Sequence, residues 1–493
     1  VSKDPHHHQD LKHMAIGGLV NMLNVLGALS APALHGLIVW AYGPVIYGLY
    51  AVGFTVAEVA SKLGTLGLDK GLLKSIPAHR LDNDDASLSD CLWTSFLASL
   101  VPSCILAIGL FFLADQLAPF FGGPAYKDAI AWLAPAIPLF AVTNVFVGAT
   151  LGAKLVRYNL LVRGFTQPFL LILFSAAFYF RANLESLCMA VNLALLMTTL
   201  IGAWTVLRVF KLRPGFRIQR DLIAFSTPLG ISEFFNNITH RAPLMILAFY
   251  VSPQEVAAYA ACDMLVRAVG GVRNAFDPII SPLFSEALKA KDFQRVRYNL
   301  KLTTRWVIAL AIPVTFGFIF FGGEILEVID PQFKSATMIL TILTLGYAMN
   351  AGLGLNGWIL TMAGHSWLIF FNNLISSLTN VGLALILIPK FGILGGALST
   401  SAGVVVLIGL TFIQVAWFNR IQPLSWASAR LVMIGGACLV LLTGISPRLP
   451  ETGLIRVFLG MLLFLLAYVV LWRLLAFEKE EEHLWNKLLK RNS

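Results

Sequence analysis

Residues 453–476, GLIRVFLGMLLFLLAYVVLWRLLA, hold two charged side chains among twenty-four positions, and fourteen runs of this kind fill the chain. A transmembrane helix needs ~20 mostly apolar residues, and its helical form satisfies every backbone N–H and C=O once water is excluded. The runs lie at 14–40, 45–70, 88–114, 128–151, 159–180, 184–209, 222–250, 254–280, 302–321, 335–362, 366–388, 394–418, 427–445 and 453–476. The links between them are short, the longest being the polar stretches near 78–88, 209–221 and 285–301. Of 493 residues, 57% are hydrophobic and 13% charged, with a mean hydropathy of +0.77. A soluble fold has nowhere to hide that much apolar surface. The sequence predicts an all-α polytopic membrane protein with about 14 transmembrane helices.

The net charge of +10 comes from 36 basic and 26 acidic residues. It does not indicate nucleic acid, since no soluble stretch is large enough for a binding module. Basic residues of a membrane protein gather in cytoplasmic loops and set its orientation. With the N-terminus in the cytoplasm, 26 Lys and Arg fall on the inner face, among them the clusters Lys154, Arg157, Arg163 and Lys289, Lys291, Arg295, Arg297, Lys301, Arg305. The outer face receives six: Lys127, Arg181, Lys334, Lys390, Arg448 and Arg456. Both termini are therefore expected inside. The five cysteines have unrelated spacings and form neither a disulfide framework nor a metal site. Residues 1–13, with HHHQDLKH, read as a solvated cytoplasmic leader, and the first apolar run as an uncleaved anchor too long for a cleavable signal. In 477–493, Phe477, Leu484, Trp485, Leu488 and Leu489 share one stripe, as in a helix lying along the inner membrane surface.

The chain repeats itself after a little over two hundred residues. AYGPVIYGLYA (41–51) matches FYVSPQEVAAYA (249–260) when Pro44 is laid on Pro253 and Tyr50 on Tyr259. Pro102 then falls near Pro313, and FGGPAYKDA (121–129) resembles VIDPQFKSA (328–336), with Lys127 on Lys334. Six runs precede the second copy, so both copies enter the membrane from the same side. The expected organisation is an N-lobe over 14–213 and a C-lobe over 214–420, repeated six-helix bundles around a central cavity. Two extra helices follow over 421–476, and then the tail. Such halves rock against each other around a site at their interface.

The remaining four of the 36 basic residues, Lys62, Arg241, Arg267 and Arg273, all lie inside the runs. An ionisable group near the bilayer centre costs roughly 2.5–3.5 kcal/mol on insertion scales, so it faces a cavity or a partner. Asp263 and Arg267, Arg273 and Asp277, and Glu58 and Lys62 are each spaced i,i+4 and share a helical face. The seventh run adds Glu233, Asn236, Asn237, His240 and Arg241, and the first run has Asn21, Asn24 and His35. The charges concentrate on the first two runs of each copy, with a cationic balance. Asp277 is placed nearer the cytoplasmic rim. Arginine's planar fork suits phosphate oxygens, amides suit sugars, and a lipid-linked sugar diphosphate answers both. The other reading of the i,i+4 pairs is internal pairing that helps assembly. Glu58, Asp263, Glu233 and Asp277 are thus candidates for internal pairing or for coupling to H⁺ or Na⁺. No cofactor beyond such an ion is expected.

The stretch YGPVIYGLYAVGFTVAEVASKLGTLGLDKGLLKSIP (42–77) resembles the opening signature of the Wzx-type polysaccharide flippases, within the multidrug/oligosaccharidyl-lipid/polysaccharide exporter superfamily. The resemblance implies movement of an undecaprenyl-diphosphate-linked oligosaccharide, an O-antigen or exopolysaccharide unit, to the outer leaflet of a bacterial inner membrane. It also implies a working monomer linked in function to a glycan polymerase and glycosyltransferases. Related lipid II flippases use cavity arginines of their first, second and eighth helices. Here the eighth run supplies Arg267 and Arg273 and the second supplies Lys62, but no arginine lies between Leu11 and Trp40. Arg267, Arg273, Arg241, Lys62, Asn236 and Asn237 are the substrate-binding candidates. A cation-coupled drug exporter of the same superfamily is the nearest alternative, disfavoured by fourteen runs and three arginines. A membrane glycosyltransferase, polymerase or ligase would need a larger outward loop.

Overall fold

The computed structural model describes residues 35–81, 84–153, 155–213, 217–419, 425–450 and 453–478, and every regular element among them is helical. The first half holds α1 (35–42), α2 (Pro44–Thr65), α3 (Leu68–Leu81), α4 (Asp85–Phe112), α5 (Ala125–Leu133), α6 (Ala136–Gly152), α7 (Gln167–Ala177), α8 (Leu184–Val209) and α9 (Arg220–Tyr250). The second half holds α10 (Pro253–Asn274), α11 (Asp277–Lys289), α12 (Phe293–Ile329), α13 (Thr337–Leu353), α14 (Asn356–Met362), α15 (Ser366–Phe391), α16 (Ile393–Asn419), α17 (Trp426–Ile445) and α18 (Gly453–Leu475).

Eleven helical stretches among the described residues are long and apolar enough to cross a membrane, and they coincide with eleven of the fourteen expected runs. α9 and α10, at the seventh and eighth runs, have 31 and 22 residues, so length is not what sets them apart. Their charges and amides dilute the apolar character. Most of the first run (14–34, with Asn21 and Asn24), the leader and the tail from 479 onward lie outside the described residues.

By backbone packing, residues 35–261 and 373–403 form one compact unit, and 262–372 with 404–478 form another. The core of the first is built from Leu68, Leu72 and Ile76, one turn apart on α3, with Leu88, Cys91 and Leu92 of α4, Val145 and Ala149 of α6 and Val206 of α8. The core of the second joins Ala309, Ile312 and Phe321 of α12 to Leu431, Ile434, Cys438 and Leu442 of α17 and to Phe464 and Tyr468 of α18. Lipid tails are as apolar as leucine, so close packing rather than water exclusion holds membrane helices together, and small residues set how near they come. Gly230 of α9 shows this. A Cβ there would lie 2.5 Å from the carbonyl carbon of Leu66 and 2.6 Å from the amide nitrogen of Gly67, so α9 crosses the end of α2 at backbone contact.

The internal repeat recurs in structural detail. α2 and α10 each run for 22 residues from a proline, Pro44 and Pro253. Each then breaks for two residues before α3 and α11 resume at Leu68 and Asp277. Asp84 caps α4 by accepting the Ser87 N–H, and Asp292 caps α12 by accepting the Arg295 N–H, both at 2.9 Å. Pro102 and Pro313 lie inside the capped helices. Tyr50 and Tyr259 are each 1% exposed. Lys127 pairs with Asp115 at 2.7 Å and Lys334 with Glu327 at 2.8 Å.

Candidate functional site

In the first unit, α2 and α9 run against each other, and their membrane-depth charges meet. Arg241 of α9 donates through Nη2 to Glu58 Oε2 of α2, and the two side chains are 14% and 22% exposed. Spacing alone had offered Lys62 to Glu58. In the structure Lys62 makes no ion pair among the described residues, because the guanidinium from α9 has taken the carboxylate. Toward the other end of the seam, Lys70 of α3 stands 3.9 Å from Glu233 of α9. Asn236 and Asn237 are half-buried on α9, and the buried Asn237 Oδ1 accepts no hydrogen bond among the described residues. His35 of α1 lies edge-on to Tyr47, its Nδ1 3.3 Å from the Tyr47 hydroxyl.

In the second unit, both i,i+4 pairs form as their spacing requires. Arg267 donates to Asp263 Oδ2 at 2.5 Å, with the arginine 38% and the aspartate 9% exposed. The Tyr347 hydroxyl of α13 approaches Asp263 Oδ1 at 3.4 Å. Arg273 lies 3.7 Å from Asp277 and donates to Asn350 Oδ1 of α13 at 3.0 Å. Asp277 opens α11, across the two-residue break from the helix that carries Arg273. Each arginine is thus held by a carboxylate at i,i+4.

One cation escaped the reading from sequence. Arg163 had been assigned to the basic loop cluster of the inner face. The chain from Leu160 to Thr166 is instead a π-helix that leads into α7, within a stretch long and apolar enough to span. Arg163 donates through Nη2 to Asn144 Oδ1 of α6. Nothing in hydropathy marks a change of helical register. The signal that remained was an arginine followed by seventeen residues without a charge, inside a run already counted as a span.

All five cysteines are free. Among the described residues no three His, Cys, Asp or Glu side chains come together as a metal site.

Comparison with known proteins adds an independent line. The model of the family described as polysaccharide biosynthesis protein matches residues 23–288. A putative O-antigen transporter of Shigella flexneri is 20% identical over 388 residues, 76% of this chain and 91% of that protein. A probable low-salt glycan biosynthesis flippase, Agl15 of Haloferax volcanii, is 22% identical over 436 residues, 84% of this chain and 89% of that one. Among solved structures, the lipid II flippase MurJ in an inward closed conformation superposes with a TM-score of 0.70 at 14% identity, covering 92% of this chain and 99% of that one. That likeness is one of fold.

Proposed function

The chain belongs to the polysaccharide biosynthesis protein family, and from that membership we propose that it is a flippase for a lipid-linked oligosaccharide. The ligand is an undecaprenyl-diphosphate-linked O-antigen or exopolysaccharide unit, moved from inner to outer leaflet. The observation that carries the chemistry is the set of membrane-depth arginines held by carboxylates: Arg241 on Glu58, Arg267 on Asp263 and Arg273 on Asp277. A diphosphate offers the same oxygen geometry as a carboxylate and more charge, so it competes for the planar guanidinium edge. Asn236, Asn237 and Lys62 supply amide and ammonium donors on α9 and α2 for the phosphate and the sugars. The names of the O-antigen transporter and the glycan flippase, which align over most of this chain, support the same substrate class.

The 26-to-6 split of basic residues supports both termini in the cytoplasm. The bacterial relative supports the inner membrane as location. We take the chain to work as a monomer, beside the glycosyltransferases that build its substrate and the polymerase that uses it. With the inside negative, outward movement of an anion gains about 2.3 kcal/mol per charge per 100 mV, so potential and product withdrawal suffice to drive it. Exchange of H⁺ or Na⁺ at Glu58, Asp263 or Glu233 is the alternative drive, and an imposed ion gradient at zero potential separates the two.

The experiment is leaflet translocation of a diphosphate-linked oligosaccharide lipid in liposomes holding the purified protein, with Arg267→Ala in parallel. Movement in the wild type that fails in the variant, at equal amounts of folded protein, supports the proposal. Wild-type movement of a control organic cation in place of the glycolipid overturns it.

A further inference from the structure

Arg163 lies in a stretch long and apolar enough to span, the proposed function leaves it without a task, and its surroundings differ from those of Arg241, Arg267 and Arg273. It stands on the π-helix Leu160–Thr166, whose i→i+5 register widens the turn and redirects a side chain relative to an α-helix. Redirected, its guanidinium reaches Asn144 of α6. That residue is 7% exposed, on a helix whose neighbours are α2, α3, α4 and α8. The guanidinium therefore points at protein, while the residue as a whole stays exposed and borders open space.

The floor of this place is shaped by small residues. Asn144, Gly148 and Gly152 succeed each other at one-turn intervals on α6. A Cβ on Gly148 would lie 2.6 Å from the carbonyl oxygen of Asp69, and one on Gly152 would lie 2.8 Å from that of Leu72. The start of α3 is thus pressed against the same stripe that receives Arg163. Asp69 and Glu58 are the carboxylates that act on Arg163 electrostatically, but neither is within ion-pair distance, and the arginine has no ion pair among the described residues. A neutral amide holds one N–H. The remaining guanidinium donors face no protein acceptor among the described residues.

A guanidinium kept charged within a stretch of spanning length, with only an amide for a hydrogen-bond partner, lacks a counter-anion at ion-pair distance. We propose that Arg163, positioned by Asn144, is a binding site for phosphate oxygens, and that the anion it receives is the diphosphate of the carried lipid. The site rests on the flippase reading given above and adds to it a cationic contact from the N-terminal half of the chain. A phospholipid headgroup carries the same phosphate chemistry, and its involvement is separated by the composition of the membrane.

The test uses the full chain in liposomes of phosphatidylcholine alone and, separately, of phosphatidylcholine with phosphatidylglycerol. Initial translocation rates are measured against concentration for one oligosaccharide on a polyprenyl diphosphate and on a polyprenyl monophosphate. Loss of one charge-assisted contact corresponds to about a tenfold change in affinity. Arg163→Gln should raise half-saturation for the diphosphate lipid about tenfold in both membranes. It should also narrow the preference for diphosphate over monophosphate, with maximal rate and thermal midpoint near wild type. Arg163→Lys, which keeps the charge and loses the fork, should fall between, and it carries the test if Arg163→Gln does not fold. Unchanged half-saturation in a folded variant overturns the site. So does an effect confined to the anionic membrane, which assigns Arg163 to phospholipid, or an equal loss for both carriers with a lowered melting temperature, which makes it structural. Failure of the wild type to move either lipid refutes the flippase reading instead.

Discussion

Neutralising Glu58 and Arg241 singly and then together measures what the ion pair between α2 and α9 contributes to holding the first unit together. The two side chains are 14% and 22% exposed, so most of each charge is out of water. Two unit charges about 4 Å apart attract by about 4 kcal/mol at an effective dielectric of 20. Removing one partner of a buried pair costs about 3–5 kcal/mol, chiefly because the survivor stays buried and uncompensated. Glu58→Gln and Arg241→Gln are each expected to destabilise by about 3 kcal/mol or more. The double variant, which buries two neutral groups able to hydrogen-bond, should lose clearly less than the sum, with a coupling of about 2 kcal/mol. Both side chains make further contacts, so the cycle rather than either single variant isolates the pair. The assay is reversible unfolding in mixed micelles on titration with dodecyl sulfate, followed by helical circular dichroism. Additivity within about 0.5 kcal/mol would refute the reasoning, since two residues that do not interact give that result.

Gly230→Ala should prevent α9 from crossing α2, because the new methyl meets the backbone of Leu66 and Gly67 rather than a movable side chain. The loss should exceed the usual overpacking cost of about 1–3 kcal/mol, read as a fall in folded, monodisperse protein. Gly109→Ala in α4, with open space around it, is the control expected to be neutral or stabilising by up to about 1 kcal/mol. At the cap of α4, the Ser87 side chain and amide hold the Asp84 carboxyl below its ordinary value of 3.8. A depressed folded-state pKa stabilises fully above the unfolded value and is lost as pH falls through the folded one. Protection of the Ser87 amide from hydrogen exchange, taken relative to its intrinsic rate, should therefore persist at neutral pH and fall only below about 3.8, whereas Asp84→Ala should remove it throughout. Equal exchange in both proteins at neutral pH would show that the cap does not protect the turn.

What could be read without coordinates followed the range of the physics involved. Apolar runs are local, and eleven of them reappear as helices of spanning length. The repeat was carried by punctuation, a proline at each helix start and a lysine, Lys127 or Lys334, at the matching turn, and the capping aspartates Asp84 and Asp292 continue it. Both breaks were hidden inside runs taken as continuous. Gly67 marked the first, and Asp277–Pro278 marked the second as a helix start, since proline is favoured in the first turn. The partner of Glu58 was out of reach. An i,i+4 spacing says only that Lys62 shares its face, while Arg241 arrives from 183 residues away. The contact of Arg163 with Asn144 was out of reach for a related reason, because the register of a helix is a tertiary outcome.

The geometry also bears on whether the membrane-depth charges merely hold helices together. Arg241 and Glu58 stand on different helices, so their pair joins α9 to α2 and repays part of its desolvation as assembly. Asp263 and Arg267 stand on one helix. Their attraction lies within α10, and the link to a second helix comes from the Tyr347 hydroxyl of α13, 3.4 Å from Asp263 Oδ1. The aspartate is buried at 9% while the arginine keeps 38% of its surface. The acid is thus the enclosed member of the pair and the cation the half-buried one. Burying the neutraliser and exposing the cation is the opposite of what an assembly pair requires, where both charges should be enclosed at the contact. That asymmetry supports the anion site proposed above, which must keep its charge between turnovers without its ligand.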